Sequence, residues 1–171
     1  FMLILAMNPC RCGYYDDPKS ECKCTASEVL RYQKKLSGPL LDRIDIQLEV
    51  PRVPTDELVK KYADEDEGEK LKMKVARARD SQKQRFQRLN LPFKTNAEMR
   101  SKDVEAIIQL DAGAKNLLNQ VLEKTLISAR GYYRILKLSQ TIADLEEEPL
   151  VKQEHIAEAF QYRLRGVGSR E

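Results

Sequence analysis

The sequence predicts an α/β chain that is mostly α-helical. Two observations indicate strands near its start: residues 1–7 form a continuous apolar run, and the segment IDIQLEV alternates apolar with polar side chains. A third indicates helices, because apolar residues recur at spacings of three and four through most of the chain after residue 70. We therefore predict the last strands of an α/β core, followed by a helical bundle.

The first part of the chain holds both predicted strands. The apolar run ends at Asn8-Pro9, since proline cannot donate to a β ladder. A turn-rich loop, CRCGYYDDPKSECKC, leads into the predicted helix TASEVLRYQKKL, which Thr25 or Ser27 can cap. The segment PLLDR predicts a short helical turn with Pro39 at its first position. The second strand has one buried face, formed by Ile44, Ile46, Leu48 and Val50.

The second part is predicted to be entirely helical. Between residues 51 and 68 the composition becomes polar and then acidic, and we place a boundary here. The segment EKLKMKVARARDSQKQRFQRLN predicts one helix, and further helices are predicted over 101–110, 111–127, 128–146 and 152–165, with N-caps at Ser101, Asp111 and Ser128. The predicted domains are 1–53, 54–96 and 97–171. The apolar stripe of the first of these helices is Leu71, Val75, Ala78, Phe86 and Leu89.

The helix predicted around residues 70–90 is strongly basic and has two interpretations. Residues 70–90 contain eight lysines and arginines but a single acid, Asp80, so the helix could bind along a nucleic-acid backbone. It could also be a solvated face that balances the acidic run at 64–69. Since no exposed aromatic residues are interleaved with the cations, we favour the solvated face.

Composition excludes some classes of protein. With 42% hydrophobic and 33% charged residues, the 171-residue chain has no apolar run long enough for a membrane span. No basic segment precedes the first apolar run, which makes it a poor signal peptide, and we expect a cytoplasmic protein without a membrane partner. The net charge of +3 is nearly balanced, so an argument for a nucleic-acid partner needs local patches.

Four cysteines form the pattern C-x-C-x9-C-x-C, at Cys10, Cys12, Cys22 and Cys24. Two such pairs joined by a turn-rich loop can converge on a tetrahedral ion, and four thiolates suit a closed structural Zn²⁺ site. The spacing differs from the commoner C-x2-C pairs. Disulfides and inert thiols remain the alternatives.

Three stretches together resemble the C-terminal part of the magnesium-chelatase-like AAA+ ATPases. They are the apolar run ending MNP, the phrase LSGPLLDRIDIQLEV, and SARGYYRILKLSQTIADLE followed by HIAEAFQYR. The cysteine loop, which the chelatase subunits of that family lack, points to its competence-protein (ComM/YifB) branch. The resemblance runs over nearly the whole chain and is weakest in residues 52–69.

The resemblance implies that the apolar run is an inner strand of a nucleotide-binding core followed by a helical lid. The phosphate-binding G-x-x-x-x-G-K-[ST] loop of such cores matches none of the seven glycines, and the acidic Mg²⁺-binding motif is also missing. We therefore expect a C-terminal fragment that does not hydrolyse ATP alone.

The resemblance also implies catalytic and nucleotide-binding roles for three residues. Asn8 matches the sensor-1 amide, which orients the attacking water, although an Asn before Pro can simply form a turn. Arg43 matches an arginine finger that acts across a subunit interface; the alternative is a surface ion pair with Asp42 or Asp45. Arg130 matches the sensor-2 arginine of the lid, with a packing role as its alternative.

Three functions follow as hypotheses. The first is a ring-forming motor, with ATP and Mg²⁺ as cofactors and a hexamer of identical chains, that acts on DNA in branch migration during natural transformation. The second is the ATPase subunit of a magnesium chelatase, which inserts Mg²⁺ into a porphyrin; the cysteine loop argues against it. The third is a zinc-containing interaction module with no ATPase activity.

Overall fold

The structure, a computed structural model, describes residues 2–53, 65–124 and 127–163. Close contacts divide these residues into two compact units. The first unit comprises 2–44 and 48–53, and the second, which we call the helical unit, comprises 45–47, 65–124 and 127–163.

The first unit contains two helices, α1 (Ala26–Gln33) and α2 (Gly38–Leu41). Thr25 caps α1 in a capping box, in which its side chain accepts the Glu28 N–H and the Glu28 carboxylate accepts the Thr25 N–H. The sequence predicted this cap, and it is confirmed. In α2, Ser37 is the N-cap and Pro39 occupies the second helical position, not the first as predicted.

The two predicted strands are not formed within the described residues. Met2 and Ile4 are more than 80% exposed, and the inward residues predicted for the second strand, Ile46, Leu48 and Val50, are also exposed. Apolar runs become strands only where neighbouring strands supply ladder hydrogen bonds and a covering layer. The described part of the chain supplies neither, so both segments are irregular. Its β pairing is a single isolated bridge between Leu110 and Val151.

Five α-helices and one short 3₁₀ turn build the helical unit. They are α3 (Glu65–Arg88), the 3₁₀ turn Asn96–Glu98, α4 (Ser101–Ile107), α5 (Ala112–Lys124), α6 (Ala129–Leu145) and α7 (Gln153–Gln161). Ser128 caps α6 as predicted, with its hydroxyl accepting the Gly131 N–H. The N-cap of α4 is Arg100, where Ser101 was predicted. The predicted end of the last helix, residues 164 and 165, lies outside the described residues.

The core of the helical unit lies between α6, α7, α5 and the C-terminal half of α3. Phe86, Ile135, Ile156 and Val104 are fully buried or nearly so. The predicted apolar stripe of α3 is only partly correct. Ala78 and Phe86 are buried, whereas Leu71, Val75 and Leu89 are about half exposed, because the first half of α3 extends beyond the helices that would cover it.

A buried polar cluster joins α3 to the C-terminal end of α6. Asp144 pairs with Arg85, and it also accepts hydrogen bonds from the Asn96 amide at 2.8 Å and the Gln140 amide at 3.0 Å. Although Asp144 lies close to the acidic run Glu146–Glu148 at the end of α6, it is not solvated. Its side chain is 1% exposed, because it faces α3 across the bundle.

In the described ranges, none of the helices combines the length and apolar character that a membrane crossing requires.

Candidate functional site

The four cysteine sulfurs lie together, all within 4.8 Å of one another. The Cys10 Sγ is 3.3 Å from that of Cys12 and 3.8 Å from that of Cys22, and the Cys12 and Cys22 sulfurs are 3.5 Å apart. Zn–S bonds of about 2.3 Å in a tetrahedron place sulfurs roughly 3.8 Å apart. Cys10 is fully buried and the other three are partly buried, so the cluster is compact enough to enclose a single ion.

The sulfurs differ strongly in acidity. The backbone N–H of Tyr14 lowers the pKa of the Cys12 thiol to about 6. At Cys22 the backbone N–H of Cys24 acts in the same direction, but desolvation and the nearby sulfurs of Cys12 and Cys10 outweigh it and raise the pKa of Cys22 to about 12. Four thiolates at these distances would repel one another, and a bound dication would provide the compensating charge. This donor set fits Zn²⁺.

Local hydrogen bonds hold the loop between the two cysteine pairs. Gly13 has a φ of +86°, which glycine adopts without strain. The Asp17 carboxylate accepts the N–H groups of Lys19 at 2.8 Å and Ser20 at 3.0 Å and pairs with Arg52 at 3.3 Å. These contacts, led by the Lys19 N–H, hold the pKa of Asp17 below its usual value. The loop is thus closed by its own polar groups.

Asn8 and Arg43, the two predicted catalytic residues, both lie in the first unit. Asn8 is exposed, two residues before Cys10, and the Pro9 carbonyl next to it accepts the Gln33 side-chain amide of α1 at 3.2 Å. Arg43 is also exposed, and its Nη1 donates to the Pro39 carbonyl of α2 at 2.6 Å.

Arg130 lies in the helical unit, at the second position of α6 after its cap Ser128. Its side chain is exposed, so the packing alternative finds no support. The first turn of a helix carries unpaired N–H groups and the positive end of the helix dipole, which together attract an anion. An exposed arginine in that turn adds a cation at the same place.

One contact that sequence reasoning missed lies one turn further along α6. Arg134 Nη1 donates to the Asp45 carboxylate at 2.7 Å, and the Gln47 N–H donates to the Tyr162 carbonyl at 2.9 Å. These two contacts hold residues 45–47, which follow the LLDRI phrase directly in sequence, against α6 and the end of α7. The pair is 89 residues apart in sequence, so no local pattern could identify it.

His155 is buried and takes part in capping α7. It is 1% exposed; its Nδ1 accepts the Lys152 N–H at 3.0 Å, and its Nε2 lies 3.0 Å from a Glu146 carboxylate oxygen. A Glu154 carboxylate oxygen lies within 4.8 Å of a ring nitrogen of His155. Nδ1 is thus used in capping α7, and Nε2 faces the Glu146 carboxylate.

The class of protein follows from three features taken together. They are the four-cysteine loop, the phrase LSGPLLDRID and the helical unit. The chain belongs to the magnesium chelatase family of ChlI-like AAA+ proteins, because residues 65–163 match the family described as magnesium chelatase, subunit ChlI C-terminal, and residues 1–58 match the one described as magnesium chelatase, subunit ChlI. The resemblance inferred from the three sequence phrases is therefore confirmed.

The chain is also similar to individual proteins of the competence-protein branch. The chain is 36% identical to the competence protein ComM of Haemophilus influenzae over 163 residues. These residues are 95% of this chain and 30% of that protein. It is 34% identical over 163 residues to the YifB protein of Escherichia coli, covering 95% of this chain and 31% of that protein. The chain thus spans about 30% of the length of the curated relatives it matches.

Proposed function

We propose that this chain supplies the C-terminal part of a cytoplasmic, ring-forming AAA+ ATPase that uses ATP and Mg²⁺ to move on DNA, in branch migration during natural transformation. The observation that carries the proposal is the 36% identity to a competence protein over 95% of the chain. The clustered cysteines support the same choice, because the resemblance assigns that loop to the competence-protein branch and not to the chelatase subunits.

Three exposed polar side chains have the chemistry that such a cycle needs. Asn8 would orient the attacking water, and Arg130, in the first turn of α6, would contact nucleotide phosphates within its own subunit. Arg43 would reach the nucleotide of a neighbouring subunit and neutralise charge on the transferred phosphoryl group. A finger acting in this way requires several copies of the chain around a ring, and we propose a hexamer.

The cysteine cluster would hold a structural Zn²⁺ ion in this protein. The sulfur separations of 3.3–3.8 Å and the burial of Cys10 support this part of the proposal. With four protein ligands the ion would have no open position, so it would shape the loop and take no part in hydrolysis. Asn8 lies only two residues from Cys10, so the metal would also limit the freedom of this side chain.

A magnesium chelatase subunit is the second candidate, and the family match favours it. The test is ATP turnover by the longer protein that includes this sequence, with and without branched DNA, beside the 171-residue chain. We expect turnover that DNA stimulates and that the chain by itself lacks. Turnover that depends instead on a porphyrin-binding partner would identify the chelatase. Turnover by the chain alone would overturn the proposed architecture.

We expect Arg43→Ala to lower ATP turnover by assembled rings on the order of 1,000-fold while nucleotide binding stays nearly unchanged, because the finger would act on the neighbour's nucleotide. Mixing this variant with subunits that cannot bind ATP should restore part of the activity, since some interfaces then combine an intact finger with an intact site. Arg31→Ala, an exposed arginine on α1, is the matched control and should keep full turnover. Normal ATP turnover by rings of the Arg43→Ala variant would contradict the proposed role of Arg43 as an arginine finger.

A further inference from the structure

Helix α3 has one buried face and is otherwise largely exposed. Ala78, Gln82 and Phe86, spaced by four residues, are buried and form the inward face. By contrast, every residue from 67 to 77 is exposed, so this part of the helix is open to solvent all round. A partner can therefore approach α3 from the side opposite its buried residues.

Two rows of cations flank that outward side. Lys72, Arg79 and Lys83 are spaced by seven and four residues and share one face. A second row follows the other edge of the helix and consists of Lys70, Lys74, Arg77 and Arg88, of which Arg77 makes an exposed ion pair with Glu147 at 3.1 Å. At 3.6 residues per turn, the two rows lie about 160° apart across the outward side. Between them lie Ala76, Gln84 and Gln87, together with the two acids Glu69 and Asp80.

The acidic residues near the start of α3 do not neutralise these rows. Glu69 pairs with Lys72 at 3.3 Å, but both groups are well exposed, so the pair is weak. Arg79 and Lys83 are ten and fourteen residues beyond Glu69, which is about 15 and 21 Å along a helix. Charges at the surface are screened beyond about 8 Å at physiological salt. The acidic run at 64–69 is therefore too distant to balance the cations in the second half of the helix, where Asp80 is the one acid within α3.

We propose that α3 docks in the major groove of duplex DNA and that its two basic rows contact phosphates on the two walls of the groove. This inference rests on the proposed action on DNA and names the surface responsible. A helix is about 10–12 Å across and the groove is about 12 Å wide, so cations on both edges of the helix meet both strands. The only aromatic residue of α3, Phe86, is buried and cannot stack on bases, which favours a duplex over a single strand.

The test compares two triple variants of the longer protein, each with three fewer positive charges. The first is Lys72→Gln with Arg79→Gln and Lys83→Gln. The matched control is Lys102→Gln with Lys115→Gln and Lys124→Gln, three exposed lysines on α4 and α5. Binding to a duplex is measured by fluorescence anisotropy over a range of salt concentrations, and thermal unfolding verifies that both variants fold.

The α3 variant should reduce the slope of log affinity against log salt by about 2.7, or roughly 0.9 for each lost phosphate contact, and should weaken binding near 0.15 M salt on the order of 100-fold. The control should keep the wild-type slope. Equal losses in both variants, or a larger loss for a single strand than for a duplex, would overturn the docking of α3. If the unmodified protein binds no DNA, the proposed motor function fails together with the docking of α3.

Discussion

Asp144 accepts hydrogen bonds from three side chains, and its own side chain is almost fully buried. Arg85, Asn96 and Gln140 all donate to its carboxylate, which joins α3, the 3₁₀ turn and α6 at one point. Losing one member of a buried charged pair is more costly than the pair itself is stabilising, because the remaining charge stays desolvated. Asp144 should therefore matter far more to the stability of the helical unit than its position near an acidic helix end indicates.

We expect Asp144→Asn to lower the free energy of unfolding by about 2–3 kcal/mol, which is less than for a fully buried pair because Arg85 is 23% exposed. Urea denaturation followed by circular dichroism would measure the loss. The control is Arg77→Met on the same helix, which breaks the exposed pair of Arg77 with Glu147 and should cost less than about 0.5 kcal/mol. Equal losses in the two variants would mean that the Asp144 cluster contributes no more than a surface contact.

Helix ends are the elements in which local sequence and structure agree most closely. Thr25 and Ser128 cap their helices as predicted, because capping depends on side chains only three residues apart. The C-terminal end of α6 uses a Schellman motif, in which the Glu148 N–H donates to the Ala143 carbonyl at 2.9 Å. Glu147 is the left-handed residue of this motif, with a φ of 61°, a position where glycine is usual.

We expect Glu147→Gly to raise the free energy of unfolding by about 0.5–1 kcal/mol, because glycine adopts this conformation without strain and only an exposed ion pair is lost. Glu147→Val should lower it, since a β-branched side chain tolerates positive φ poorly. Asn90→Gly, at the equivalent position after α3 with a φ of 52°, should give a smaller gain because asparagine already tolerates this conformation. Thermal unfolding of the three variants measures the order of their stabilities. A Glu147→Gly protein with a lower melting temperature than the wild type would contradict the backbone strain proposed at Glu147.

Elements whose stability depends on distant parts of the chain could not be predicted in the same way. The apolar run before Asn8 has the composition of an inner strand, but a strand requires a partner, and no sequence pattern within the run supplies one. The Asp45–Arg134 pair and the Asp144 cluster join residues 89 and 59 positions apart, so local pattern carried no signal for them. The cysteine cluster could be predicted because its two pairs are only nine residues apart.

At the scale of the whole molecule, the two units depend on different physical sources of stability. The helical unit has a continuous apolar core that includes Phe86, Ile135, Ile156 and Phe160. In the first unit only Cys10 and Val29 are buried apolar residues among those described, and most other apolar side chains are exposed. So small a core cannot offset the entropy of ordering about fifty residues. A bound ion would supply the missing stabilisation, since metal binding to a site that forms only on folding contributes directly to folding.

Removing zinc from the 171-residue chain should therefore unfold the first unit and leave the helical unit folded. We expect about one equivalent of zinc in purified protein; a chelator should then abolish hydrogen-exchange protection of the α1 amides while those of α6 and α7 keep theirs. Adding zinc back should restore α1, and Cys10→Ser should reproduce the effect of the chelator. Less than about half an equivalent of metal, with four titratable thiols, would contradict the zinc site. Parallel loss of protection in α1 and α6 would instead contradict the independence of the helical unit, since its core contains no cysteine.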